Sequence, residues 1–271
     1  MVRRPLGNHH HGPDTLLVTS ETTETTPHEP AATETVEENP AYETERLREL
    51  TGARVVLWDF DGPICRLFAG HRAEEIAAGL VEWLAGRGRH GLLSEAERAT
   101  LDPQVVLRAV DRLHPGSDLV TELEERLTQE ELLAAASAWP TEYADPLIRT
   151  WAAVGSRLAV TTNNSPRVVG AYLAGRGLTG CFAPHVYGRT ADLHHLKPDP
   201  HCLNRALAAL DAEPGSALMI GDSPSDLVAA DRAGVRFLGF ASGERRAKVL
   251  RAAGADTVLT SLEPLLLALR G

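Results

Sequence analysis

Three polar motifs, each placed directly after a short apolar run, carry most of the side chains in this sequence that could do chemistry. They are DFDG at 59 to 62, TTNN at 161 to 164 and GDSPSD at 221 to 226, and Lys197 stands between the last two. Together they offer paired carboxylates, a hydroxyl, an amide and an ammonium group. Carboxylate oxygens suit Mg²⁺, and the other groups suit a phosphoryl group held against a nucleophilic aspartate. The set predicts phosphoryl-transfer chemistry.

The first motif places Asp59 and Asp61 two residues apart, so both side chains can point to the same side of an extended segment. Two close carboxylates can divide acid and base work, because their repulsion pushes the two pKa values apart. Gly62 lets the chain turn and present backbone N–H groups to an anion. The alternative interpretation is a simple hairpin turn at Asp61 and Gly62 that follows a strand.

The motif at 221 to 226 also has two interpretations. Asp222 and Asp226 can hold Mg²⁺ through hard oxygen ligands. With Ser223 as N-cap, Pro224 at the first helical position and Asp226 at the third, the same residues form a helix start. Both interpretations can hold at once.

Thr162, Asn163 and Lys197 complete the set. Thr162 and Asn163 offer donors that phosphate oxygens need, although residues 164 to 166 can equally be only the start of a helix. Lys197 is one of two lysines in the chain. Its ammonium group can neutralise a phosphate or be ordinary surface charge.

Short apolar runs predict the strands that position these groups. The predicted strands cover 54–58, 157–162, 217–220, 235–240 and 257–259, and helical patterns lie near 166–175, 200–211, 225–233, 244–253 and 262–269. Residues 67 to 144, called here the helical insert, show the periodicity of amphipathic helices and no strand. The alternation predicts an α/β fold, with a Rossmann-like parallel sheet core and helices on both faces. Because Asp59, Thr162 and Asp222 end predicted strands, we expect them to meet at one edge of the sheet.

Composition limits the class of protein. A net charge of −10 and a pI near 5.6 argue against a partner that is nucleic acid or an anionic membrane. Three widely spaced cysteines, without a metal-binding pattern, argue against a disulfide framework or a zinc site and favour a cytoplasmic location. No apolar run is long enough for a membrane span. Residues 1 to 46 are acidic and poor in aliphatic side chains, which predicts a disordered tail.

The four motifs resemble those of the haloacid dehalogenase superfamily. Its phosphatases carry DxDG[TV][LI], a strand-end Thr or Ser, a Lys and GDxxxD or a close variant. Here these are DFDGPI at 59 to 64, TTNN at 161 to 164, Lys197 and GDSPSD at 221 to 226. The resemblance covers residues 53 to 262, and the full set is specific for the superfamily but not for a substrate. Pro63 departs from the usual Thr or Val and removes one backbone N–H from the loop.

The resemblance implies a role for each carboxylate. Asp59 would attack phosphorus and form an aspartyl-phosphate, while Asp61 would protonate the leaving group and then activate water. Mg²⁺ would be held by Asp59, the backbone carbonyl of Asp61 and Asp222. Asp226 would support these ligands from behind or reach the ion through water.

The resemblance also implies which residues contact the phosphoryl group. Thr162 and the backbone N–H groups after Asp59, including that of Gly62, would hold its oxygens, with Asn163 beside them. Lys197 would counter the charge of both the phosphate and Asp59, so that Thr162 and Lys197 join the two aspartates as catalytic residues.

The helical insert resembles the helical cap of phosphoglycolate phosphatase-like and β-phosphoglucomutase-like members. We therefore predict an all-α cap at 67–144, a core formed by 47–66 with 145–271, and the tail at 1–46. Arg66, His71 and Arg72, near the start of the cap, would either meet an anionic group of the substrate or form an ordinary solvated helix start.

The expected function is a Mg²⁺-dependent phosphatase that acts on a small phosphate ester through an aspartyl-phosphate. Two alternatives stay open: a phosphomutase of the same architecture, and a non-catalytic interaction protein whose acidic tail binds a partner. Carbon–halogen cleavage is disfavoured because it would leave Asp222 and Asp226 without a purpose. Phosphonate cleavage through a Schiff base is disfavoured because the helical insert contains no lysine.

Overall fold

A computed structural model describes residues 40 to 271, and their side chains from residue 45 onward. Its main sheet has six parallel strands in the order β5-β4-β1-β6-β7-β8. In chain order these strands are β1 (Val55–Trp58), β4 (Arg157–Thr161), β5 (Val186–Tyr187), β6 (Ala217–Gly221), β7 (Arg236–Phe240) and β8 (Val258–Leu259). A second sheet pairs β2 (Cys65–Arg66) with β3 (Trp139–Pro140) in antiparallel fashion. The predicted Rossmann-like parallel core is confirmed.

Helices cover both faces of the main sheet and form most of the helical insert. They are α1 (Pro40–Thr51), α2 (Ala73–Gly86), α3 (Glu95–Arg98), α4 (Pro103–Leu113), α5 (Asp118–Ala136), α6 (Ala144–Ala153), α7 (Pro166–Gly175), α8 (Thr179–Phe182), α9 (His201–Ala209), α10 (Pro224–Ala233), α11 (Glu244–Ala252) and α12 (Glu263–Arg270).

Alternate residues of the central strand β1 belong to different hydrophobic clusters. Val56 and Trp58 pack on one face among residues of α1, α6, α7 and α12, whereas Val55 and Leu57 pack on the other among residues of α9 and α10. All four are fully buried. A strand that is covered on both faces must be apolar throughout, which is why VVLW shows no alternation of polar and apolar residues.

One expected boundary is wrong. The predicted disordered tail ran to residue 46, but α1 begins at Pro40, inside that segment. Leu47 and Leu50 are one helical turn apart and pack against the core cluster that includes residues of α12, so this helix is stabilised by tertiary packing. Residues 1 to 39 of the predicted tail lie outside the described residues.

The helical insert differs from its prediction in one element. The pairing of β2 with β3 brings together the two ends of the helical segment, where we had expected no strand. In α2 the apolar residues Ile76, Leu80 and Leu84 recur at helical spacing and are buried in the insert's own hydrophobic cluster. That cluster also contains Leu193 and Leu196, which belong to the loop before Lys197 and not to the insert.

Candidate active site

The carboxyl ends of three adjacent strands bring the predicted motifs together. β1 lies between β4 and β6, so Asp59, Thr162 and Asp222 leave the sheet side by side. All three line a cavity of about 870 Å³. The helical insert supplies part of the cavity wall, with residues that include Phe68, Leu101 and Gln104. The expected meeting of distant residues is found.

Lys197 lies at the centre of the site with its side chain buried. Its ammonium nitrogen is 2.8 Å from Asp59 Oδ1 and 3.1 Å from the backbone oxygen of Thr161, and it also contacts Asp226 Oδ1. Burial disfavours the charged amine, but the two carboxylates outweigh this and raise the pKa of Lys197. An ammonium group has three donors, and these three acceptors use all of them. The interpretation of Lys197 as surface charge is therefore wrong.

Burial also controls the carboxyl groups of the first motif. It raises the pKa of Asp59 to about 6, with the charge of Asp226 adding to the effect and Lys197 opposing it. Burial raises the pKa of Asp61 to about 7, because the hydrogen bond from the backbone N–H of Leu67, 2.8 Å from Asp61 Oδ1, opposes it only in part. A carboxyl group with a pKa near neutrality suits general acid and base work.

Gly62 allows Asp222 to approach the first motif closely. Its φ is +106°, and a Cβ at this position would lie 2.4 Å from Asp222 Oδ2. The backbone N–H of Gly62 bonds to the carbonyl of Cys65, and β2 pairs with β3 in a sheet separate from that of β1. The alternative of a hairpin turn at Asp61 and Gly62 is therefore wrong.

The fourth motif forms the predicted helix start. Ser223 and Asp226 form a capping box at the start of α10. Asp226 Oδ2 accepts hydrogen bonds from the backbone N–H groups of Asp222 and Ser223, while Oδ1 contacts Lys197. Because both oxygens of Asp226 are engaged in these contacts, Asp226 fixes the backbone of Asp222 and the ammonium group of Lys197. Asp222 faces the cavity, and burial together with the charge of Asp59 raises its pKa well above the usual range.

The second motif uses its polar atoms within the protein. Thr162 Oγ1 donates to Asn164 Oδ1 at 3.1 Å and accepts from the backbone N–H of Asn164 at 3.2 Å. Asn163 Oδ1 accepts a hydrogen bond from the backbone N–H of Lys197 at 2.7 Å, and Asn163 Nδ2 donates to the backbone carbonyl of Lys197 at 3.2 Å. Asn163 therefore fixes the backbone that carries the buried lysine.

A family model described as haloacid dehalogenase-like hydrolase matches residues 53–234. The chain belongs to this hydrolase family. The resemblance predicted from the four motifs is thereby confirmed. A phosphoglycolate phosphatase of Rhodospirillum rubrum is 40% identical over 117 residues, which is 43% of this chain and 47% of that protein, so the match spans about half of the relative. A phosphoglycolate phosphatase of Pseudomonas putida is 26% identical over 232 residues, 82% of each chain.

Solved structures share the fold of this hydrolase. CbbY from Rhodobacter sphaeroides, crystallised with phosphate, has a TM-score of 0.59 at 22% identity and covers 81% of this chain and 100% of its own. A haloacid dehalogenase-like hydrolase from Bacteroides fragilis has a TM-score of 0.58 at 21% identity, over 79% and 99% of the two chains. At these identities the likeness concerns the fold.

The acidic side chains of this hydrolase fit a hard divalent cation. Asp59, Asp222 and Asp226 each offer an oxygen, and these atoms lie within 4.8 Å of one another. Mg²⁺ prefers one or two carboxylates together with waters and substrate oxygens. All three line the cavity, but both oxygens of Asp226 are already engaged by Lys197 and by backbone N–H groups, so Asp59 and Asp222 are placed to supply that pair.

Sequence reasoning missed Arg246, which lines the cavity and whose guanidinium lies 3.1 Å from Asp222 Oδ2. It stands in the first turn of α11, just beyond the carboxyl end of β7, so its position after a strand was an available signal. Of the three basic residues proposed for the substrate, only Arg66 lines the cavity. His71 pairs with Glu130 and Arg72 with Glu74.

No helix in the described part of this hydrolase is both long and apolar enough to cross a membrane.

Proposed function

We propose that this hydrolase is a Mg²⁺-dependent phosphatase that cleaves a small phosphate ester through an aspartyl-phosphate on Asp59. The observation that carries the proposal is the placement of Asp59. It lies at the cavity wall, 8% exposed, with one oxygen held 2.8 Å from the ammonium of Lys197 and with Asp61 two residues away. The phosphatase names of its relatives point to the same reaction class.

Asp59 and Asp61 divide the reaction between them. Lys197 holds Asp59 through Oδ1, which leaves Oδ2 to attack phosphorus and form the acyl phosphate. Asp61, with a pKa of about 7, gives its proton to the leaving oxygen and then accepts one from the water that hydrolyses the intermediate. Asp59, Asp222 and the carbonyl of Asp61 would hold Mg²⁺, which would supply positive charge beside the phosphoryl oxygens.

The remaining motif residues orient the phosphoryl group. Thr162 turns its hydroxyl from Asn164 toward a phosphoryl oxygen, and backbone N–H groups that follow Asp59 bind the others. The N–H of Gly62 is not among these donors, because it already bonds to the carbonyl of Cys65. Lys197 keeps Asp59 ionised for attack. Asn163 acts beside them by holding the backbone of Lys197.

The helical insert, residues 67–144, serves as a cap over the core formed by 47–66 and 145–271. Support comes from the cavity wall, to which Phe68, Leu101 and Gln104 contribute from the insert. A cap that excludes water strengthens the electrostatic interactions beneath it and chooses among substrates by shape.

A screen of small phosphorylated metabolites, with 2-phosphoglycolate among them, tests the function. With Mg²⁺ present we expect release of inorganic phosphate from at least one ester, and no release after addition of EDTA. Beryllium fluoride, which mimics an acyl phosphate, should inhibit in the presence of Mg²⁺. Interconversion of sugar phosphates without release would show a mutase instead. No turnover of any ester, together with no inhibitor binding, would end the proposal.

Magnesium should stabilise the folded chain increasingly as pH rises. Burial raises the pKa of Asp59 and Asp61 from 3.8 to about 6 and about 7. Each carboxyl group, when protonated, therefore stabilises the folded state below about pH 4. This contribution to the free energy of unfolding is lost as the pH rises through about 6 for Asp59 and about 7 for Asp61. Since Mg²⁺ would bind the ionised carboxylates of Asp59 and Asp222, and burial raises the pKa of Asp222 as well, we expect the increase in melting temperature on adding 5 mM MgCl₂ to be small at pH 5 and several degrees at pH 8. An increment independent of pH would contradict this assignment.

A further inference from the structure

A buried arginine joins the helical insert to the core beside the candidate active site. Arg189, which follows β5, directs Nε to Glu124 Oε1 at 2.9 Å and Nη2 to Thr128 Oγ1 at 2.9 Å. Its two terminal nitrogens also bind both oxygens of Glu131, at 3.0 and 3.1 Å, and Nη1 donates to the carbonyl of Asn163 at 3.1 Å. A guanidinium has five N–H donors, and all five have an acceptor here.

The side chains of Arg189 and Glu131 are both fully inaccessible to solvent. Glu131 belongs to α5 of the insert, so the pair crosses from the insert to the core. A buried ion pair is seldom more stabilising than apolar residues of equal volume, whereas separating its partners leaves two charges without compensation. The pair therefore fixes one arrangement of the two parts more than it raises stability.

Glu131 also holds the loop that follows Thr162. Its Oε1 accepts from Asn164 Nδ2 at 3.0 Å, and its Oε2 accepts from the backbone N–H of Ser165 at 3.2 Å. The backbone N–H of Arg189 donates to the carbonyl of Asn164 at 2.9 Å. Residues 163 to 165 are thus fixed on both sides by one ion pair.

This loop in turn determines the positions of two groups in the candidate active site. Asn164 is the hydrogen-bond partner of the Thr162 hydroxyl, and the side chain of Asn163 holds the backbone of Lys197. A displacement of the loop moves both the hydroxyl and the lysine backbone.

We propose that Arg189 and Glu131, called here the buried latch, are positioning residues. They fasten α5 of the insert to residues 163 to 165 and so place Thr162 and Lys197 for phosphoryl transfer, a role that rests on the proposed phosphatase function. When the insert is not docked, the latch is broken and the loop loses its support. Docking of the cap and assembly of the phosphate site are then a single event.

Glu131→Gln, made in the full chain, tests the latch. The substitution keeps the shape but turns an amide N–H group toward the donors of Arg189. With p-nitrophenyl phosphate and Mg²⁺ we expect kcat to fall about tenfold to a hundredfold, the cost typical of a small displacement of reacting groups, and KM to stay within threefold. A wild-type kcat would overturn the proposal.

Glu125→Gln is the matched control. Glu125 also lies on α5 and binds Arg167 of α7 in the core at 2.6 Å, but this pair is exposed and leaves residues 163 to 165 untouched. We expect its kcat to stay within twofold of wild type. A loss equal to that of Glu131→Gln would show that any weakened contact of α5 suffices, and would overturn the specific role of the latch.

The double substitution Glu131→Met with Arg189→Met separates positioning from structure. It removes both buried charges, so we expect the melting temperature to return toward wild type while kcat stays at least tenfold low. Recovery of both quantities would show a structural role only and overturn the proposal. If this variant does not fold, the comparison of Glu131→Gln with Glu125→Gln decides.

Amide hydrogen exchange tests the latch without catalysis. In Glu131→Gln the amide of Ser165 loses its carboxylate acceptor, so we expect exchange in residues 163 to 165 to become at least tenfold faster, with no change in Glu125→Gln. Unchanged exchange would overturn the latch. If the wild-type chain hydrolyses no phosphate ester, the proposed function is refuted. The exchange rates of residues 163 to 165 then still decide whether the latch holds this loop.

Discussion

Asp59→Asn is expected to lower kcat on any ester that the wild-type chain hydrolyses by roughly 10⁴- to 10⁶-fold, as the loss of a nucleophile does in other enzymes. An amide does not form the acyl phosphate, although it keeps the shape of the carboxyl group. The melting temperature in metal-free buffer at pH 7.5 should hold or rise. Burial raises the pKa of Asp59 to about 6, so its ionisation at this pH opposes folding, and an uncharged side chain removes that penalty.

Steady-state kinetics and thermal melting of the same preparation measure both effects. Asp231→Asn, at an exposed position of α10, is the matched control and should change neither quantity. Residual turnover within a hundredfold of wild type would show that Asp59 is not the nucleophile. A fall in melting temperature of more than about 5 °C, which corresponds to roughly 1.3–2.5 kcal/mol in a chain of this size, would contradict the electrostatic argument.

Lys197→Met should damage both stability and turnover. Methionine fills a similar volume but leaves the carboxylates of Asp59 and Asp226 without their shared cation, in a site where the lysine side chain is 2% exposed. Breaking a buried ion pair by removing one partner costs about 3–5 kcal/mol. Loss of the charge that holds Asp59 is expected to reduce kcat by about 10²- to 10³-fold.

The chain's other lysine provides the control. Lys248 is exposed on α11, so Lys248→Met should leave the free energy of unfolding within about 0.5 kcal/mol of wild type. Urea unfolding in metal-free buffer gives the comparison. If Lys197→Met unfolds at the same urea concentration as wild type, the ammonium does not compensate the buried carboxylates.

The core could be predicted from the sequence because most of its strands are long and apolar enough to be recognised as apolar runs. Residues 157–162 and 217–220, for example, correspond closely to Arg157–Thr161 and Ala217–Gly221. The strand Val186–Tyr187 was not predicted, because its two residues are too few to show a period, and it is stabilised by pairing with β4. Helix α6 was missed although Leu147, Ile148 and Trp151 have helical spacing and are buried.

The candidate site was predictable where strand order and residue type were enough. Asp59, Thr162, Lys197 and Asp222 all line one cavity, as expected. How each side chain divides its hydrogen bonds could not be predicted, because that depends on distances between segments far apart in the chain. The engagement of Asn163 with the backbone of Lys197, 34 residues later, is an example.

Leu193 and Leu196, in the loop that precedes Lys197, pack against the helical insert and not against the core. They complete the hydrophobic cluster of the helical insert, although the four residues from Leu193 to Leu196 lead straight into Lys197 in the core. The insert is therefore not an interchangeable module. A chimera that received this segment from another family member would expose the two leucines or clash with them, unless residues 190 to 197 were exchanged with it. New substrate preferences should consequently be sought by changing single residues of the cavity wall and not by transplanting the whole segment.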